Sequence, residues 1–280
     1  MWARSLLLFL AVSLFAPANF FSHTGAASAE EGPTPCCKSE TSDTAQLHKN
    51  ADRLYSQFKT KEAAGELLKI LQIDPRDLEA TTKLSRVYLD FGDMIPESSP
   101  DWREKRMKEY RKAEEYARQA ININPNSTWG HFYVAASLGS LALVSPMSKQ
   151  IDLAAEIRSS LEKALALDPK NGFAYHVYGI WHRKMAEIGK ASRLFASVLF
   201  GRALPSGNLE KSIEYLKKAV ALNPQVIVSR LELGKSYMAA ENWSMARRSL
   251  VAIRELPIQF SDDARHKQLA EQILEEIKDR

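Results

Sequence analysis

KALALDPKN, residues 163–171, recurs almost unchanged as KAVALNPQV at 218–226, and more loosely as QAININPNS at 119–127 and KILQIDPRD at 69–77. Each copy runs through a small or apolar residue and a short apolar stretch to Asp or Asn, then Pro. Self-similarity of this kind decides architecture before any side-chain chemistry, because each copy must do the same structural job.

Placing Pro75, Pro125, Pro169 and Pro224 at one register of a helix–turn–helix unit of about 34 residues aligns the rest. Five residues earlier stand Ile70, Ala120, Ala164 and Ala219, and eight earlier stand Leu67, Ala117, Leu161 and Leu216. Early in the following unit come Leu84, Ser85 and Tyr88 after the first Pro, and Leu233, Gly234 and Tyr237 after the last. Large, small and aromatic residues alternate where two helices interlock, at the positions of the tetratricopeptide repeat. The small residue lets the helices approach closely. Asp or Asn ends the helix, since the residue before Pro is pushed out of the helical region, and Pro is expected to start the next helix at a fixed angle. The expected fold is all-α: a tetratricopeptide-like α-solenoid, a right-handed superhelix of stacked helix pairs, each burying its face on its neighbours.

The repeat domain spans 44–280, with units 44–77, 78–127, 128–171, 172–226 and 227–260 and a capping helix over 261–280. Ser261 is the expected N-cap of that last helix, with Asp262 and Asp263 suited to its first turn. The middle units have 50, 44 and 55 residues, so they are elongated, with the additions placed between the two helices of each unit around 93–102, 143–147 and 201–207.

The 280 residues carry a net charge of +4, too mild a balance to imply nucleic acid, and no basic tail or RNA motif changes that. Residues 1–29 read as a cleaved export signal: Arg4 is the one charge, residues 6–16 are apolar, and Ala27-Ser28-Ala29 resembles a cleavage site. An uncleaved N-terminal membrane anchor or an organelle-targeting segment is the alternative. Export would place the chain in a periplasm or outside the cell. Residues 30–43 read as a disordered linker. That linker holds Cys36 and Cys37, the only cysteines, so no core disulfide braces the fold.

The oversized middle units resemble those of the regulator of microtubule dynamics protein family. The resemblance rests on Gly179-Ile180-Trp181, Leu199-Phe200-Gly201 and Pro205-Ser206, together with ADRLYSQ (51–57), WREKRMKEYRKAEEYARQA (102–120) and LELGKSYMAAENWSMARRSL (231–250), and it covers about 51–275. It implies an all-α tetratricopeptide-like domain without an enzymatic signature. It also implies microtubules as a partner, because eukaryotic members are associated with microtubules, spindle poles and mitochondrial or membrane-contact roles. An export signal would depart from that pattern.

The sequence contains no nucleotide-binding glycine loop and no nucleophile elbow. His176 and His182 are six residues apart, on different faces of a helix, and so do not form a metal pair. No catalytic residue, metal or cofactor is expected. Binding in such solenoids uses the concave face, here Arg86, Trp129, Phe132, Phe173, His176, Ile180, Arg183 and Lys235, with Thr82, Ala136 and Leu231 beside them. The Lys/Asn/Arg set that grips a chaperone's terminal carboxylate is missing from these positions. The expected function is a non-enzymatic scaffold that takes a protein or peptide in this groove. A carrier of lipid or another amphipathic anion is the alternative, and a microtubule-associated role the third. Residues 193–200 form a segment that could fold back and fill the groove. Arg183, Lys184, Lys190, Arg193 and Arg202 form an expected basic strip.

Overall fold

A computed structural model describes residues 38–189, 193, 198–199, 201, 204–260 and 262–280. The described residues form eleven helices and no strand. They are α1 (Lys38–Ser56), α2 (Thr60–Ile73), α3 (Leu78–Asp93), α4 (Trp102–Ile123), α5 (Thr128–Val144), α6 (Met147–Leu167), α7 (Gly172–Glu187), α8 (Leu209–Leu222), α9 (Ile227–Ala239), α10 (Trp243–Val251) and α11 (Asp263–Glu276). Helices adjacent in sequence pack against one another in antiparallel pairs, the arrangement of a tetratricopeptide-like α-solenoid.

The repeated phrase works as a hinge. Asp74, Asn124, Asp168 and Asn223 cap their helices, each donating its backbone N–H to the carbonyl four residues back, at Ile70, Ala120, Ala164 and Ala219. Those four residues are fully buried. In three of the hinges the cap side chain also accepts an amide two residues on, at Arg76, Asn126 and Lys170, over 2.8–3.0 Å. Asp77, Ser127 and Asn171 then cap the next helix through Ala80, Gly130 and Ala174. Pro thus sits within the turn, and the following helix begins three residues later.

The elongated units take two forms. Residues 94–101 link α3 to α4, whereas α5 and α6, of 17 and 21 residues, meet across Ser145 and Pro146 alone. The addition in the third unit therefore lengthens its helices instead of forming a break. α1 begins at Lys38, inside the stretch expected to be linker, because no Pro or Gly interrupts residues 38–56. Helix α5 is buried on almost every side, as its run of apolar and small residues dictates. It anchors the central apolar cluster, with Phe132, Leu161, Phe173, Ile180 and Trp181. Smaller clusters form around Leu67 and Leu84 at one end and Leu231 and Leu250 at the other. Among the described residues, no helix is long and apolar enough to cross a membrane.

The fifth unit departs from the repeat. Its second helix stops at Val251, and residues 252–260 form no helix before α11. That helix starts at Asp263 with Asp262 as N-cap; Ser261 lies outside the described residues.

Close approach can be tested at Gly179, where an added Cβ would lie 2.6 Å from Leu216 Cγ on α8 and 3.1 Å from the Ser212 carbonyl oxygen. Gly179→Ala is expected to destabilise the fold by roughly 1–3 kcal/mol in urea denaturation. Gly139→Ala, where a methyl meets nothing within 4 Å, should be neutral or stabilising.

Candidate functional site

The concave-face residues come together in space, but as interior. Arg86, Phe132, Phe173, His176, Ile180 and Arg183 are buried, as are Thr82, Ala136 and Leu231; only Trp129 and Lys235 are half-exposed. The aromatic residues pack on one another, with Trp129 edge-on to Phe132 at 5.6 Å and tilted against Phe173 at 6.2 Å.

The charged members are held in two buried networks. Arg86 Nε donates to Asp90 Oδ1 at 3.0 Å, and Tyr55 OH donates to the other oxygen of the same carboxylate. Burial raises Asp90 to about 6 although Arg86 opposes the shift, and it raises the Tyr133 hydroxyl to about 12. In the second network Arg183 donates to Glu232, and Lys235 Nζ lies 2.7 Å from the same carboxylate. Burial alone would raise Glu232, but Lys235 and Arg183 outweigh it and hold the carboxyl at about 2. His176 Nδ1 meets Ser229 Oγ at 3.1 Å, and burial lowers the imidazole to about 4, so it is neutral at physiological pH. A small cavity of about 20 Å³ beside Arg86 and Tyr55 has room for a single water, not an acyl chain.

What covers this face is the C-terminal segment of the chain. Phe260 is buried in the same apolar cluster as Phe132, Phe173 and Ile180. Asp263 Oδ2 accepts the backbone amides of Gln259 and Phe260, both at 2.8 Å, which fixes the turn into α11. Asp262 adds to the field that raises Asp90, and His266 to the field that lowers His176. The first turn of α11 therefore faces inward, with Asp263 and His266 buried, and not outward as the face of a polar cap would. Most of 193–200, the segment expected to fold back here, lies outside the described residues; of it, Val198 and Leu199 are exposed.

Sequence reasoning missed Tyr55, Asp90, Glu232 and Phe260. Asp90 and Glu232 carried a faint signal, each sitting at helical spacing from a groove cation. Phe260 carried none, since it is the last residue of the final unit, past that unit's second helix. In the expected basic strip Arg183 is ion-paired, Arg193 donates to the carbonyls of Ile188 and Pro205, and Lys190 and Arg202 lie outside the described residues.

The family model described as Regulator of microtubule dynamics protein 1-3 matches residues 47–278. Regulator of microtubule dynamics protein 1 of Bos taurus is 28% identical over 241 residues, 84% of this chain and 72% of that protein. Its Mus musculus counterpart is 27% identical over 235 residues, again 84% of this chain and 75% of the relative. Among solved structures, a tetratricopeptide protein of Thermus thermophilus superposes with a TM-score of 0.59 at 16% identity, over 82% of this chain and 98% of that one. The type IV pilus biogenesis factor PilW gives 0.51 at 18% identity, over 85% and 93%. These two likenesses establish the fold alone. The sequence relatives are animal proteins named for microtubule dynamics, with nothing that speaks for export. The expected export signal over residues 1–29 is therefore withdrawn; those residues lie outside the described ones.

Two substitutions test the buried networks. Glu232→Gln leaves Arg183 buried beside a neutral group and should cost roughly 3–5 kcal/mol of stability by chemical denaturation. For His176 the unfolded chain binds more protons between the unperturbed value of 6.5 and the folded value of about 4, so stability falls as pH drops through that window. At pH 5 this one residue should cost ~2 kcal/mol relative to pH 7. The difference in melting temperature between the two pH values should shrink in His176→Gln.

Proposed function

The chain belongs to the regulator of microtubule dynamics protein 1–3 family, and we propose that it is a non-catalytic protein-interaction scaffold whose concave face takes a partner segment in place of its own residues 257–266. The observation that carries this reading is Phe260. An irregular stretch of the chain buries one aromatic side chain, Phe260, in the apolar cluster that holds Phe132, Phe173 and Ile180. The chain's own segment is thus a template for a ligand: a peptide that places an aromatic anchor against this face.

A scaffold role also suits the chemistry of the face. Arg86, Arg183, Asp90 and Glu232 are committed to one another, which leaves them to shape the surface and not to act on a substrate. For the same reason reversing the charge of Arg86 or Arg183 would unfold the face before it tested binding. Because the relatives are named for regulating microtubule dynamics, the proposed partner is a protein of the microtubule system. The apolar run at residues 6–16 is proposed as a membrane anchor or organelle-targeting segment, which the position in cells of a fluorescent protein fused to residues 1–43 would test.

Displacing the strap gives the functional test. Burying a Phe side chain is worth about 1.5–3 kcal/mol, so removing it should raise the apparent affinity for a competing partner roughly ten- to hundredfold. Phe260→Ala is therefore expected to co-sediment with microtubules at lower protein concentration than the wild type. Equal co-sedimentation would remove the strap from the mechanism, and none in either protein would remove the microtubule partner. An excess mass of several hundred daltons in native mass spectrometry, lost on denaturation, would replace a protein occupant with a lipid.

A further inference from the structure

Away from the concave face, α6, α7 and α8 border an open cleft of about 720 Å³, within the size range of small-molecule sites. It exists because α6 and α7 touch less extensively than the pairs on either side of them. Tyrosines line its floor. Tyr178 and Tyr215 stack with centroids 4.9 Å apart, Tyr175 lies 5.7 Å from Tyr215, and the His182 ring lies 4.7 Å from Tyr178.

The two acids of the cleft are already matched. Glu162 accepts from Arg158 at 2.8 Å and from Tyr178 OH at 2.7 Å, and Glu214 accepts from Lys218 at 2.7 Å. Two groups at the other end are not. The Lys211 ammonium makes no ion pair or hydrogen bond among the described residues. His182 is 5% exposed, and neither of its ring nitrogens has a partner. Burial first, then the charges of Lys211 and Arg158, lower His182 to about 4, so at neutral pH it offers one N–H donor. The link before α8 is pressed onto α7 at this point: a Cβ on Gly207 would lie 2.2 Å from the His182 carbonyl oxygen. The N-terminus of α8, capped by Asn208 through the Lys211 amide at 2.8 Å, therefore begins beside His182. The first turn of a helix, an uncommitted ammonium and an unpartnered imidazole thus line one end of the cleft. A sheet of aromatic rings extends from it.

We propose that this cleft binds a nucleoside monophosphate, with the phosphate at Lys211, His182 and the first turn of α8, and the base against Tyr215 and Tyr175. A phosphate fits the donors better than a carboxylate does, because they approach from several directions and three oxygens can meet them. The flat tyrosine faces match the second half of the ligand, since base–aromatic stacking tolerates any base. The site is independent of the concave face and of the partner that face takes.

Calorimetric titration of the full-length chain with AMP, GMP, CMP and UMP tests this, with inorganic phosphate and adenosine run alongside. At least one nucleotide should bind more tightly than either half alone. Lys211→Gln, a change at an exposed position, should weaken it about tenfold, the worth of one charge-assisted hydrogen bond. Tyr215→Leu should weaken the nucleotide while leaving inorganic phosphate unaffected, and Phe260→Ala should bind it as the wild type does. Three results would overturn the proposal: no binding by any nucleotide at millimolar concentration, phosphate alone binding as tightly, or Lys211→Gln binding as the wild type does.

Discussion

The second helix of each of the first four units has to end two residues before a proline, and the rest of the molecule is arranged around that stop. At Asp74, Asn124, Asp168 and Asn223 the backbone amide closes the last turn, and the proline ring then forbids another. The carbonyl that receives this bond belongs to a fully buried residue, Ile70, Ala120, Ala164 or Ala219. One short phrase therefore couples the end of a helix to its closest contact with its neighbour. Repetition turns that local geometry into a solenoid, because each pair has an apolar face that only the next pair can cover.

A stacked array of this kind creates an inner face whose residues belong to no single unit. Here that face is filled from within, and the filling brings charge into the interior. Buried ions are stable only when matched, which explains why Arg86 has Asp90 one turn away and why Arg183 reaches across to Glu232 on α9. The pairs hold the face rigid and leave its aromatic centre as the place where a side chain from elsewhere can lodge. Phe260 is buried in the same apolar cluster. The segment that carries it follows a short α10, which stops at Val251, well before α11 begins at Asp263.

Much of this was legible in the residues and some was not, for identifiable reasons. The hinges were legible because Pro and the residue before it act on the local backbone. The small residues at 164 and 219 were legible because helix packing reads volume. The placement of the added residues in the third unit was not, since KALALDPKN fixes where α6 ends but says nothing of where it starts. Helical periodicity places the groove residues on one side of their helices, and most of them are buried. Their burial was invisible, because it comes from residues far along the chain, such as Ser229 against His176 and Glu232 against Arg183.

His176 and His182 show the division most clearly. Spacing alone put them on different faces of one helix, and they do point apart: one meets Ser229 on α9, the other lines the tyrosine cleft. The sequence by itself determined the helices, their hinges and the side each residue occupies, because these follow from dihedral limits and a 3.6-residue period. Only the tertiary structure decided which sides remain open. Exposure is a property of what packs on a surface: the C-terminal segment meets residues far away in the chain, and the gap between α6 and α7 depends on how closely two neighbouring helices pack.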